Sequence, residues 1–290
     1  MLTSMKLRIS AIVLIIFCVA SFVTPAKAGG AAPYQGVRGI ALSGALHGTL
    51  GLNESIYVNP AAFAFAQRYS VEAHSFLAPS QTENTVWTYT GSVVDAHATN
   101  LAAGFSYTRR EQKIAGGPLI ENAYHLAVSK ILKEFLALGM TGKYVNQNFP
   151  DDEKNHINFD LGSYWVLTPK LQAGLVAHNI LGAFENLERE IALGTRLQAW
   201  KAFYISVDAL KNVDQGLLKD YRLLGGMELA RENGLVTQMG LSLSDQSLKS
   251  HYSFGLGWSE HKFGIFYGFQ NSLDSQRRMT HALSLRAFFK

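Results

Sequence analysis

From about Arg68 onward, apolar residues alternate with small or polar ones in segments of 10–14 residues, separated by turn-rich stretches. A period of two puts successive side chains on opposite faces of a strand, so one face meets an apolar phase and the other a polar one. The stretch 251–259 shows this clearly. Tyr252, Phe254, Leu256 and Trp258 share one face; His251, Ser253, Gly255, Gly257 and Ser259 share the other. In 157–167, Ile157, Phe159, Leu161 and Trp165 likewise oppose Asn158, Asp160 and Gly162. Fourteen such segments are predicted, at about 67–77, 85–95, 99–108, 120–132, 135–146, 155–167, 170–180, 189–200, 202–211, 220–231, 234–243, 250–259, 262–270 and 278–289.

The connections between them alternate too. Those after the even-numbered segments, the second included, are expected to be tight, as at Lys133-Glu134, Thr168-Pro169, Lys201, Glu232-Asn233 and Glu260-His261. Those after the odd-numbered segments are longer and more polar, at 79–84, 109–118, 147–155, 181–188 and 273–277. Short turns at one end, long loops at the other and an even strand count predict an all-β fold, a transmembrane antiparallel β-barrel of about fourteen strands of the bacterial outer-membrane kind. A soluble β-sandwich or lipocalin-like barrel would not produce that loop alternation, or so apolar an outward face. Trp165 and Trp258 fall near ends that precede short turns, and Tyr107 and Tyr144 near the opposite ends, where two aromatic girdles would sit. Strands favour aromatics in any case, so this is supporting only. The last segment places Leu283, Leu285, Ala287 and Phe289 on one face, an amphipathic terminal strand followed by Lys290.

Composition agrees. Of 290 residues, 48% are hydrophobic and only 17% charged, with 26 glycines. Disorder is excluded by the abundance of apolar and aromatic side chains. One segment alone approaches the length of a spanning helix. It is the N-terminal one, where Lys6 and Arg8 precede an apolar run from Ile9 to Val23 and an Ala26-Lys27-Ala28 site. This is the pattern of a secretory signal peptide cleaved after Ala28. The single cysteine, Cys18, lies inside it, so a thiol or disulfide chemistry is not expected of the mature chain. Removing Lys6, Arg8 and Lys27, with no acid in 1–28, takes the formal charge from +4 to +1. No clustered basic stripe remains, and a nucleic-acid partner is not expected.

Residues 29–66 lack alternation and are rich in small residues. Two stretches stand out, Arg38-Gly39-Ile40-Ala41-Leu42-Ser43-Gly44-Ala45 and Asn53-Glu54-Ser55-Ile56-Tyr57-Val58-Asn59-Pro60-Ala61-Ala62-Phe63-Ala64. Together they resemble the N-terminal segment of FadL-like and PorV/PorQ-like outer-membrane proteins, with the Asn-Pro-Ala box the most specific part. Asp160-Leu161-Gly162, 178–182 and 225–228 are similar to the PorV/PorQ branch. The chain departs from the pattern at Leu52-Asn53, where an acidic pair is usual, and at Ser43-Gly44, where Gly-Gly is usual. The resemblance implies a fourteen-stranded barrel obstructed by an N-terminal hatch. The expected organisation is therefore a signal peptide at 1–28, a hatch at 29–66 and a barrel at 67–290. The hatch motif comprises Arg38, Gly39, Gly44, Asn59, Pro60 and Ala61. Pro60 fixes φ and Asn59 can bond its own backbone, so the box sets a turn into the first strand. Either the segment moves or lines a ligand pocket, or it is a static stopper.

Taking the polar phase inward makes Lys143, Asp160, His178, Arg196, Asp208, Arg222, Glu228 and Arg286 lumen candidates. Opposed residues of a hairpin share a roughly constant index sum. On that basis Lys143 neighbours Asp160, and Arg196, Asp208 and Arg222 form one cluster. That cluster would brace the wall or anchor a ligand head group. His125, His178 and His251 also fall in the inward phase. No catalytic motif and no metal-ligand spacing is apparent, so neither an enzyme nor a cofactor is expected. The FadL side of the resemblance implies passive transport of hydrophobic or amphipathic small molecules, captured near Phe149, Leu181 and Phe184. The PorV/PorQ side implies the alternative, a non-transporting accessory barrel with a secretion or surface protein partner. In both, outer-membrane lipid surrounds the chain.

Overall fold

The computed structural model describes residues 34–79, 85–97, 101–114, 116–184, 187–216, 219–245, 249–274 and 278–289. The signal-peptide expectation at 1–28, Cys18 and the first hatch residues lie outside them. The inward and outward phases organise everything else. Fourteen strands form: β1 Tyr69–Pro79, β2 Thr85–Asp95, β3 Ala102–Ile114, β4 Gly117–Lys133, β5 Leu136–Asn148, β6 Glu153–Thr168 and β7 Leu171–His178. They continue as β8 Glu190–Gln198, β9 Phe203–Asn212, β10 Tyr221–Ala230, β11 Leu235–Ser244, β12 His251–Ser259, β13 Phe263–Ser272 and β14 Met279–Phe289. Each pairs antiparallel with its sequence neighbours, and β1 pairs with β14, from Tyr69 opposite Phe289 to Leu77 opposite His281, closing the barrel.

Closure removes the sheet edges, and lipid tolerates no open edge. The outward positions carry large apolar side chains left open, among them Leu126 at 60%, Val207 at 55% and Leu285 at 58% exposure. A continuous apolar surface of this extent is matched to lipid tails rather than water. Among the described residues no helix is long and apolar enough to cross a membrane. Tyr107, Tyr124 and Tyr144 stand directly opposite one another on β3, β4 and β5, with ring centroids 5.1 and 6.1 Å apart, and form a band at one rim. Trp258, at the other rim, donates from Nε1 to the Asn233 carbonyl at 3.1 Å and packs edge-on to Phe263.

Two expectations about connections are corrected. The stretches 109–118 and 147–155 are mostly strand. The β3–β4 ladder runs to Ile114 opposite Gly117, and the β5–β6 ladder to Asn148 opposite Glu153. Above the lipid both faces meet water, so apolar alternation disappears while pairing persists, reinforced by contacts such as Arg110–Glu121 at 3.2 Å. The tight connection expected after the second segment spans residues 96–101. As a result β3–β6 have 13, 17, 13 and 16 residues, whereas β7–β14 have 8 to 11. Only about 9–11 residues are needed to cross a bilayer, so the first group projects beyond it.

Inside the barrel lies the N-terminal segment, with helix α1 at Val37–Ala41, helix α2 at Ser55–Val58 and a 3-10 turn at Ala62–Ala66. Its apolar residues supply most of the interior core. Leu42, Leu46, Ile56, Tyr57, Val58 and Phe63 are buried together with Val94, Ala102, Ala127, Ala137 and Tyr164 of the wall. α1 packs on β11–β14, and α2 with the 3-10 turn on β3, β4 and β5.

Candidate functional site

The interface between this segment and the wall is the candidate site, and it begins with glycine. Wall glycines let the segment's backbone come within a distance that no Cβ would allow. An added Cβ would lie 2.0 Å from the His47 carbonyl oxygen at Gly174, 2.5 Å from Gly48 N at Gly194, 2.4 Å from the Pro60 carbonyl carbon at Gly139, and 2.4 Å from the Leu42 carbonyl carbon at Gly240. In sequence these residues simply occupied the polar, inward phase; their use is to make room. The chain turns after α1 through Ser43 at φ 53° and Gly44 at φ 86°, and Gly44 N–H closes the turn on the Gly39 carbonyl at 2.8 Å.

Asn59 ties the segment together. Its Oδ1 accepts the Ala61 N–H at 3.1 Å, bridging Pro60, while its Nδ2 donates to the His47 carbonyl at 2.7 Å and the Ser163 carbonyl at 3.1 Å. The Ala61 carbonyl accepts from Ser129 Oγ at 3.2 Å. One side chain thus makes a local turn, joins two limbs of the segment and docks them on β6.

Arg38 is the centre of an alternating chain of charges that crosses the interior. Its Nε and Nη2 hold both oxygens of Glu228 at 2.8 and 3.0 Å, and its Nη1 reaches Glu54 at 3.3 Å. Burial alone would lower the Arg38 pKa, but Glu228 and Glu54 hold it above the ordinary value. Glu228 also accepts from Arg196 at 2.6 Å and Gln238 at 2.7 Å. Glu54 accepts from Arg286 at 2.8 Å, which in turn holds Glu72 at 2.8 Å. Bidentate, charge-assisted contacts of this kind are among the strongest that polar groups make. They link β8, β10, the N-terminal segment, β14 and β1.

A second chain starts at His47. Asp208 Oδ2 accepts from both His47 N–H and its ring Nδ1, each at 2.8 Å. His47 Nε2 faces His178 Nε2 at 3.2 Å, His178 Nδ1 meets Asp160 at 3.0 Å, and Asp160 holds Lys143 at 2.7 Å. Lys143 stands directly opposite Asn158, so it reaches Asp160 on the diagonal.

Arg196, Asp208 and Arg222 do not meet as one cluster. Arg196 lies over the Tyr204 ring at 4.1 Å on its way to Glu228, and Arg222 reaches across to Glu190 at 2.5 Å. Their index sums describe diagonal neighbours, whose Cβ atoms are roughly 7–8 Å apart. At that separation a nearer competitor wins, and for Asp208 the competitor is His47, from a segment that hairpin arithmetic does not see. Glu54, Glu72, Glu190 and His47 were missed as site residues. Glu72 and Glu190 could have been found, since both sit in the inward phase of their strands. At the mouth, Phe184 stacks on His156 with centroids 4.1 Å apart, Lys154 lies over Phe149 at 4.8 Å, and Leu181 is 63% exposed.

No protein-family model matches the sequence. No curated protein matches it either. The fold, by contrast, is similar to solved structures. The CymD monoaromatic hydrocarbon channel has a TM-score of 0.73 at 11% identity, covering 88% of this chain and 97% of that one. The Ralstonia pickettii toluene transporter TbuX gives 0.64 at 10%, covering 86% and 98%. A Pseudomonas aeruginosa FadL homologue gives 0.60 at 12%, covering 90% and 99%. The closed barrel of this chain is therefore a fold that these three structures share.

Proposed function

We propose that this protein is an outer-membrane barrel that passively admits hydrophobic or amphipathic small molecules past its N-terminal segment, which acts as a hatch. The observation that carries the reading is a lipid-matched closed barrel, similar along nearly its whole length to hydrocarbon channels, with the residue 34–66 segment lodged in its bore. Capture would begin at the mouth, where Leu181 and Phe184 offer apolar contact. Passage then requires the cargo to slip between hatch and wall, because the inward side chains around the hatch are packed rather than open to solvent. The geometry supplies no energy source, so flux follows the gradient. The accessory-barrel alternative has no observation in its favour.

Accumulation of toluene by Gram-negative cells tests the reading. Cells expressing the protein should take it up faster than cells without it. A disulfide joining Ala61→Cys to Ser129→Cys, which tethers the hatch to β4, should slow that uptake, and reduction should restore it. Uptake equal to that of cells lacking the protein, before and after reduction, would overturn the proposal.

A further inference from the structure

On the β3–β4 side of the hatch, four buried polar atoms have no hydrogen-bond partner: Tyr57 Oη, Ser106 Oγ and both ring nitrogens of His125. They belong together. Ser106 and His125 are directly opposed in the β3–β4 ladder. The Tyr57 ring meets the fully buried His125 ring edge-on at 5.1 Å. The Tyr57 hydroxyl points at Ser106 and Thr108, near enough for both to act on its pKa but in full hydrogen-bond geometry with neither. Native interiors leave few polar atoms unpaired, and four in one place call for a partner that the chain does not supply.

The surroundings define what that partner is. Thr108 is occupied by Thr90 at 3.0 Å. Lys143, next to His125 along the same row of the wall, is taken by Asp160 at 2.7 Å and Asn179 at 3.0 Å. Glu72, whose charge also reaches Tyr57, is held by Arg286 at 2.8 Å, so among the described residues both charged neighbours are already paired and neither balances an ionised guest. Burial pushes the Tyr57 phenol up, so it stays a neutral donor. Hydroxyls donate and accept, and a neutral imidazole offers one donor and one acceptor. Such a set suits a neutral group that also does both. Around it the walls are aromatic, since the Tyr34 ring also meets His125 edge-on, at 4.8 Å. Tyr34 is half-buried and covers the group from the side that solvent reaches, held there by Glu121 at 2.7 Å and by Arg110 over its ring at 5.4 Å.

We propose that Tyr57, Ser106 and His125 form a recognition site for a neutral hydroxyl or carbonyl borne on an aromatic ring. The site then favours a phenol-like guest over a bare hydrocarbon of the same shape, which the barrel still admits. This rests on the transport reading above and narrows its substrate class. The guest enters by turning Tyr34 aside, places its ring among Tyr34, Tyr57 and His125, and satisfies the four atoms with its polar group.

Fluorine NMR on the full chain in detergent micelles tests it with para-fluorophenol and para-fluorotoluene, which differ in a hydroxyl against a methyl. Wild type should bind the phenol saturably and about tenfold more tightly, the size of one well-made hydrogen bond. His125→Phe and Tyr57→Phe should each erase the preference, and Ser106→Ala should reduce it while barely changing volume. Heat-dependent gel mobility confirms that each variant is a folded barrel. Equal affinity for the two ligands in wild type, or a preference that survives His125→Phe with Tyr57→Phe, would overturn the site and leave water as the partner of the four atoms. Binding needs no passage, so the two proposals fail separately. A phenol preference without cellular uptake sinks transport alone, and uptake without preference sinks this site alone.

Discussion

The N-terminal segment, the proposed hatch, is held in two different ways on its two sides. Toward β7–β14 its backbone rests on Gly174, Gly194 and Gly240, and its charges are matched one for one through Arg38, Glu54 and His47. Toward β3 and β4 it presents the rings of Tyr34 and Tyr57 to a wall whose Ser106 and His125 have polar atoms left over. The first side ties each of the segment's charges to the wall; on the second, Tyr57, Ser106 and His125 keep unpaired polar atoms. Ion pairs thus anchor the segment on the β7–β14 flank, whereas on the β3–β4 flank, where the proposed recognition site lies, it is held by apolar packing and by hydrogen bonds such as Ser129 Oγ to the Ala61 carbonyl.

The largest effect should come from breaking the anchored side. Arg38→Ala removes the buried cation that Glu228 and Glu54 share, leaving them to Arg196 and Arg286 alone, and should cost about 3–5 kcal/mol, read from urea unfolding of the barrel in lipid vesicles. A comparable loss in Tyr57→Phe would erase the distinction between the flanks. Next comes crowding. Gly240→Val should cost about 1–3 kcal/mol by forcing the hatch off the wall. Gly142→Val should be nearly silent, because a Cβ there makes only ordinary contacts, with the Phe159 ring at 3.5 Å and the Leu126 carbonyl oxygen at 3.9 Å. Equal losses at the two glycines would show that strand geometry matters and not the close approach. Glu190→Gln removes the partner of Arg222 on a part of the wall the hatch charges do not use, and should cost about 1–2 kcal/mol without speeding toluene uptake. The smallest effect is expected at the rim. Lys249 bridges Glu188 and Asp220 at 2.6 and 2.7 Å, yet it is partly exposed, and Lys249→Ala should change stability by less than about 1 kcal/mol. A larger, salt-sensitive loss would move part of the anchoring from the hatch to the loops.

The barrel was legible because lipid imposes a period of two on every strand. Residues such as Tyr252, Phe254 and Leu256 could not satisfy water on one side and lipid on the other in any other arrangement. Legibility ended where lipid ended. Arg109 to Ile114 and the residues around Asn148 are paired strands with polar side chains on both faces, so they read as loop. The site was half legible. Lys143 and Asp160 lie within one hairpin, and arithmetic along the chain brings them near each other. Asp208 finds His47 and Glu228 finds Arg38, separated by 161 and 190 positions. No periodicity connects such pairs, and only the path of the hatch through the bore does. The inward glycines were visible as small residues, but what they admit was not.

The Glu54–Arg286–Glu72 triad has a consequence for assembly. Arg286 and Glu72 lie on β14 and β1, directly opposed across the closing seam, and Glu54 belongs to the segment inside. Arg286 meets both of its carboxylates only once the N-terminal segment is seated against that seam. A cylinder that shut empty would leave this guanidinium short of one carboxylate, so the seam itself favours a threaded bore.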